Sequence, residues 1–172
     1  MQRDWNFAIT ILSNRSAVGL LRAGFTWWAS DYANASTWVP VGPLPAGASL
    51  PDDSNVEDPF LWRDKQGRFH ALFHNMEPTD GTAYCGTHAF SSDGANWIAG
   101  GWTYGGSVQF TDGSNFTFSR RERPHLLFDG FTPVGLSNGV QYGGPYGDAV
   151  FTLVQPIDAR TSLQLPPRQH GI

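Results

Sequence analysis

A run of apolar strand, polar turn and second apolar strand occurs twice in this chain, each time leading to an Asp-bearing turn and a Trp. The first unit opens at Asn6-Phe7-Ala8-Ile9 and reaches Ala29-Ser30-Asp31 and Trp38. The second opens at Glu57-Asp58-Pro59-Phe60 and reaches Ser92-Asp93-Gly94 and Trp97. A third opening, Glu122-Arg123-Pro124-His125, again leads into an apolar strand. From Phe7 to Pro59 to Pro124 the spacings are 52 and 65 residues. A four-stranded sheet with its loops fills about that length, which is the size of a propeller blade. A β-sandwich with chance internal similarity is the other architecture such a pattern allows.

Local signals agree with strands throughout. Phe7–Leu12 and Ala17–Leu21 flank the turn Ser13-Asn14-Arg15-Ser16 and read as a hairpin. Asp58–Trp62 and Arg68–Phe73 flank Asp64-Lys65-Gln66-Gly67 in the same way. Thr87–Ser91 runs into an Asp-Gly turn, and Ala149–Val154 forms a last apolar run. With 20 Gly and 12 Pro among 172 residues, few stretches hold a helical period over three turns. The expected fold class is all-β, a β-propeller of the five-bladed type with about three blades present, near residues 4–50, 51–110 and 111–160. Together these form a single partial domain over 1–160, followed by a Pro-rich tail over 161–172. Three blades are too few to close a ring of 4–8. The abrupt start, with no signal-peptide pattern, leads to the expectation of an incomplete gene model or fragment with blades missing on the N-terminal side. Self-association of half-propellers is the other route to closure.

Composition limits the partners. Charged residues are 15% of the chain and the net charge is −4, with no basic cluster longer than Arg120-Arg121-Glu122-Arg123. A binder of nucleic-acid backbones needs a basic face to displace counterions, so no nucleic-acid partner is expected. No apolar run approaches the ~20 residues of a membrane-crossing helix, and no membrane partner is expected. Cys85 is the lone cysteine, which excludes an internal disulfide and reads as a small buried hydrophobe. Hydrophobic residues make up 40% and aromatic residues 14% of the chain, enough for a core. The surplus rings also suit stacking on sugars, and of the adjacent pair Trp27 and Trp28 one is expected to face outward.

The residues that carry the repeat also carry a family resemblance. Val56-Glu57-Asp58-Pro59-Phe60-Leu61-Trp62 resembles the Glu-Asp-Pro or Arg-Asp-Pro strand of five-bladed β-propeller carbohydrate enzymes: glycoside hydrolase families 43, 32, 68 and 130. Asn6-Phe7-Ala8 with Leu20-Leu21-Arg22-Ala23 is similar to the opening blade of family 130, and Arg121-Glu122-Arg123-Pro124-His125 to the strand that supplies the general acid in family 43. Ser92-Asp93-Gly94-Ala95-Asn96-Trp97 resembles a hairpin found across these propellers. The resemblance implies a glycosidase acting on an oligosaccharide or polysaccharide, with Glu122 as general acid and Asp58 as second carboxylate. Two departures matter. Asn6 stands where family 43 has its Asp base, and an amide cannot take a proton from water. Phe60 stands where phosphorylases of family 130 carry Arg, so hydrolysis is expected rather than phosphorolysis.

Breaking a glycosidic bond ordinarily requires two carboxyl groups, one protonated and one ionised. The chain has three Glu, namely Glu57, Glu77 and Glu122. Two of them lie beside Pro at the start of expected inner strands, whose ends converge on the channel of a propeller. Strand alternation would let only one of Glu57 and Asp58 face that channel. Asn6, Arg22, Glu57, His74, His88 and His125 are the candidate substrate-binding residues, placed at openings or near strand ends. For Glu122 a surface ion pair with a neighbouring arginine is the plain alternative. No cofactor is expected, and no metal, since a three-His site would lack local spacing such as His-x-x-x-His. Three Asn-x-Ser/Thr sequons, at Asn14, Asn34 and Asn115, exceed the about one that chance gives and favour a secreted protein. The rival reading is a non-catalytic carbohydrate-binding propeller in which Asn6 marks a lost base. A partner-binding β-domain with no carboxylate pair is a third.

Overall fold

A computed structural model describes residues 6–44, 56–76, 84–142 and 149–157. The fold is all-β, as expected, and among the described residues the strands form four antiparallel sheets, none closed on itself. Strands β1 (Phe7–Ile11), β2 (Ala17–Leu21), β3 (Phe25–Ala29) and β4 (Trp38–Pro43) form the first sheet in chain order. Strands β5 (Val56–Arg63), β6 (Phe69–Asn75), β7 (Tyr84–Ser91) and β8 (Trp97–Gly105) repeat that arrangement in the second. A small hairpin, β9 (Ser107–Gln109) and β10 (Asn115–Thr117), precedes a third sheet of β11 (Arg120–Asp129), β12 (Thr132–Tyr142) and β13 (Ala149–Pro156). Each sheet is a meander, so each strand pairs with its chain neighbour and short turns do the connecting.

The turns explain themselves. Asn14 Oδ1 accepts from the Ser16 amide at 3.1 Å and caps the β1–β2 turn. Asp64 Oδ1 does the same work between β5 and β6, accepting from Gln66 and Arg68 amides at 2.9 Å each. In the Asp-Gly turn, Asp93 Oδ1 takes the amides of Ala95 and Asn96 at 2.8 and 2.7 Å. A side-chain oxygen here replaces a strand partner at each chain reversal. Gly94 sits at a left-handed φ of +78°, and a Cβ there would stand 2.7 Å from a Val18 methyl. Glycine is therefore needed both for the turn and for the close approach of the first sheet.

Apolar side chains fill the spaces between consecutive sheets. Val18 and Leu20 of the first sheet pack with Leu61, Phe69, Ala71, Phe73, Ala89 and Trp97 of the second. The opposite face of the second sheet, through Phe60, Trp62 and Leu72, packs on Leu126, Leu136 and Phe128 of the third. Cys85 is buried in this second cluster, as its reading as a small hydrophobe requires. The hairpin adds Val108 and Phe116 to Phe118, Val140 and Leu153. Along one edge of this stack β5 lies between β1 and β11, so the first strands of all three sheets are neighbours.

Candidate functional site

Two of those first strands are interrupted at the same place. The register of β5 on β6 shifts between Glu57 and Phe60, and that of β11 on β12 between Glu122 and His125. In both, the residue before proline is left-handed: Asp58 at φ +49° and Arg123 at φ +53°. Such a conformation is uncommon for a residue with a side chain and costs on the order of 1–3 kcal/mol, which the surrounding structure must offset. The bulge also cancels strand alternation locally. Instead of diverging, Glu57 and Asp58 both join one polar cluster. The expectation that only one of them could face it is corrected here: the Asp58 backbone turns where a regular strand would not.

The cluster draws on all three sheets. Asn6, at the start of β1, donates from Nδ2 to Asp58 Oδ1 at 2.7 Å. Arg22, just after β2, places Nη1 3.2 Å from Glu57 Oε2. His74 lies opposite Glu57 in the β5–β6 ladder, with Nδ1 3.2 Å from Glu57 Oε1. From β11, Arg120 holds Glu122 Oε1 at 3.1 Å, and Arg123 brings Nε within 4.0 Å of Asp58 Oδ2. Arg22 also points Nη2 at the Met76 sulfur, 3.2 Å away. Side-chain exposure is 10% for Asp58 and 18% for both Glu57 and Glu122.

The electrostatics separate two adjacent carboxyl groups. The hydrogen bond from His74, aided by Arg22, holds Glu57 below the usual carboxylate range against the opposing effect of burial. Asp58 is pushed above its ordinary value, first by burial and then by the negative charge of Glu57, with Glu122 adding to it. His74 and Arg123 pull the other way without prevailing. Of the adjacent pair, Glu57 gives up its proton the more readily and Asp58 holds its proton the more tightly, a separation in proton affinity that acid–base catalysis uses. A ligand atom from each of Glu57, His74 and Glu122 lies within 4.8 Å of the other two. These are the residues that could hold a cation, although Arg22 and Arg120 already occupy an oxygen of each glutamate.

Of the sequence candidates, Asn6, Arg22, Glu57, Asp58, His74 and Glu122 come together. His88 and His125 lie elsewhere. His88 Nε2 meets His70 Nδ1 at 3.1 Å, and His70 Nε2 meets Asp64 Oδ2 at 3.2 Å. The two imidazoles are stacked 5.3 Å apart beside Trp62. His88 faces Gly100, where any Cβ would collide with its Nδ1. His125 is exposed and rests its ring on Phe60, 4.3 Å between centroids. A three-His site is therefore not formed by His74, His88 and His125. Glu77 lies outside the described residues.

Arg120 and Arg123 enter the site as direct partners of carboxylates, although the sequence marked them only as a competing explanation for Glu122. Their signal was the Arg-x-Glu-Arg spacing itself. Arg121, between them, turns the opposite way and is 2% exposed. Its guanidinium donates to Asn138 Oδ1 at 2.9 Å, Gly105 O at 3.0 Å and Gln155 Oε1 at 2.8 Å, and stacks 4.8 Å from the Tyr104 ring. Comparison of the chain with models of known protein families, with curated proteins and with solved structures found no match.

Proposed function

We propose that the chain is an arc of a β-propeller and that the cluster around Glu57, Asp58 and Glu122 is a site for hydrolysing glycosidic bonds. The observation that carries this reading is the convergence of three carboxylates, from two bulged strands, on one polar patch whose adjacent members differ in proton affinity. Asparagine, arginine and histidine around them supply the hydrogen-bond donors that sugar hydroxyls need. Asp58, the member of the adjacent pair that holds its proton more tightly, gives that proton to the oxygen of the departing sugar as the bond to the anomeric carbon breaks. Glu122, ion-paired with Arg120, takes a proton from the water molecule whose oxygen forms the new bond to that carbon. This exchanges the roles that the resemblance to family 43 assigns to these two residues. Deprotonation of Asp58 removes the acid, so activity falls as pH rises through its raised pKa.

A second reading has its own observation. The Asn6 amide is committed to Asp58 and cannot act as a base, and Glu57 and Glu122 each already have an arginine. A propeller that binds sugar without cleaving it would be built this way.

Release of reducing ends from a polysaccharide panel, together with aryl-glycoside turnover, tests the first reading, and calorimetry with the same oligosaccharides tests the second. Hydrolysis requires that Glu122→Gln and Asp58→Asn each lower turnover by about 10²–10⁴-fold while binding persists. Binding without turnover in the wild type selects the second reading. Neither binding nor turnover overturns both.

A further inference from the structure

We infer that the free face of the first sheet is an interface for a second copy of this chain, received head to tail on the outer face of its third sheet. The inference rests on the propeller reading and on the register of the two junctions inside the molecule. The turn that closes with Leu12 N–H to Ser16 O in the first sheet closes with Asp64 N–H to Arg68 O in the second. Counting outward from it along the ladders, Ile9, Gly19, Leu21 and Trp38 correspond to Leu61, Ala71, Phe73 and Trp97. Counting from Glu57 and Glu122, Leu61 and Ala71 in turn correspond to Leu126 and Leu136.

At both internal junctions these positions are covered by the preceding sheet: Leu61, Ala71, Phe73 and Trp97 by the first, Leu126 and Leu136 by the second. The first sheet has the same positions, and among the described residues no other sheet packs on them. Phe7 and Ile9 are 47% and 41% exposed. Phe7 crosses Gly19, meets Trp38 edge-on at 5.4 Å, and with Leu21 and Trp27 lines an open hollow of about 400 Å³. The third sheet leaves the opposite kind of face free. Leu127 there corresponds to Trp62, one of the residues with which the second sheet covers the third, and Val150 and Val154 beside it are 71% and 56% exposed.

The described residues thus carry one unpaired surface of each kind, and both junctions among them join one kind to the other. Two unlike faces meeting make a heterologous contact, which ends only by closing a ring. Two copies of three sheets give six, inside the 4–8 that a propeller uses.

Light scattering behind size exclusion, with the chain at about 1–100 µM, tests this against a monomer mass of 18.9 kDa. The expected result is twice that mass. Ile9→Lys on one face and Val154→Glu on the other each give monomers with unchanged circular dichroism. An equimolar mixture of the two regains the doubled mass, because one junction in the mixed pair keeps both native faces. A monomeric wild type overturns the inference, as does a dimer that Val154→Glu leaves intact or an open polymer that does not stop at two. Leu61→Ala and Leu126→Ala separate this failure from that of the arc. If the monomer melts several degrees lower with either change, the arc stands and only the second copy is lost. If neither change matters, the arc is lost as well.

Discussion

Asp58 is left-handed, mostly buried and next to Glu57, and each condition is easier for an uncharged asparagine. Asparagine tolerates positive φ better than most residues, and its carbonyl can still accept from Asn6. Because Asp58 holds its proton more tightly in the folded state, its stabilising effect is full when it is protonated and is lost as pH rises through the raised pKa. Asp58→Asn is therefore expected to match or exceed the wild type in urea-unfolding free energy at pH 7. Its stability should also vary less between the acidic and neutral ranges. A large loss at pH 7 would mean that the ionised carboxylate is a partner the fold needs. Glu57 has the opposite sign: its contribution is present above the ordinary carboxylate range and declines as pH falls through the depressed value. At this scale the sequence was a good guide to which polar residues gather, because Asn6, Glu57 and Glu122 all sit at openings of the repeat. It was a poor guide to histidines. A position late in a strand does not reveal which face the side chain takes, and the His88 ring lies over Gly100 of the neighbouring strand β8, where any Cβ would collide with it.

Strands and turns were legible because their signals are local. The β2 range Ala17–Leu21 coincides with the apolar run in the sequence, and the Asp64, Asp93 and Asn14 turns follow from side chains that satisfy the reversing backbone. Bulges were not legible. Glu-x-Pro marks where β5 and β11 break register, yet proline normally leaves its predecessor extended, so nothing local announced a left-handed residue. Arg121 was equally hidden, since three arginines in four positions look alike until β11 has a buried side. It ties β8, β12 and β13 to β11 through Gly105, Asn138 and Gln155, none of them charged. Burial lowers its pKa without displacing its charge from ordinary pH. Arg121→Lys keeps the charge and loses the planar fork that reaches three acceptors. It is expected to destabilise the chain by about 2–4 kcal/mol, as buried oxygens lose their donors. Chemical denaturation measures this, and a change below about 0.5 kcal/mol would show that the three bonds are replaceable.

Stability of the whole molecule should depend on pH through the junction of the second and third sheets, where His88 is stacked. Burial, and then the charge of His70, lowers its pKa from 6.5 to about 4. An unfolded chain takes up that proton near 6.5, so the stability His88 contributes is full above that pH and declines as pH falls toward 4. Up to about 3 kcal/mol is involved. Asp58 has the opposite sign, gaining as pH falls and its proton returns. A His88→Gln variant should flatten the acid limb of a plot of melting temperature against pH. An unchanged limb would assign the acid sensitivity to other groups.

Asp58 and Arg123 occupy the same place in two copies of one motif, and those places meet at 4.0 Å. Two units that touch at equivalent positions cannot both keep the same charged residue there. Putting either unit in the place of the other would set two carboxylates or two guanidinium groups face to face, a repulsion on the order of 1 kcal/mol for a position as open to water as that of Arg123. Recombination between the repeats is thereby penalised at this position. A lineage that keeps both units must change the two residues together, so Asp58 and Arg123 should vary as a pair wherever this molecule is inherited.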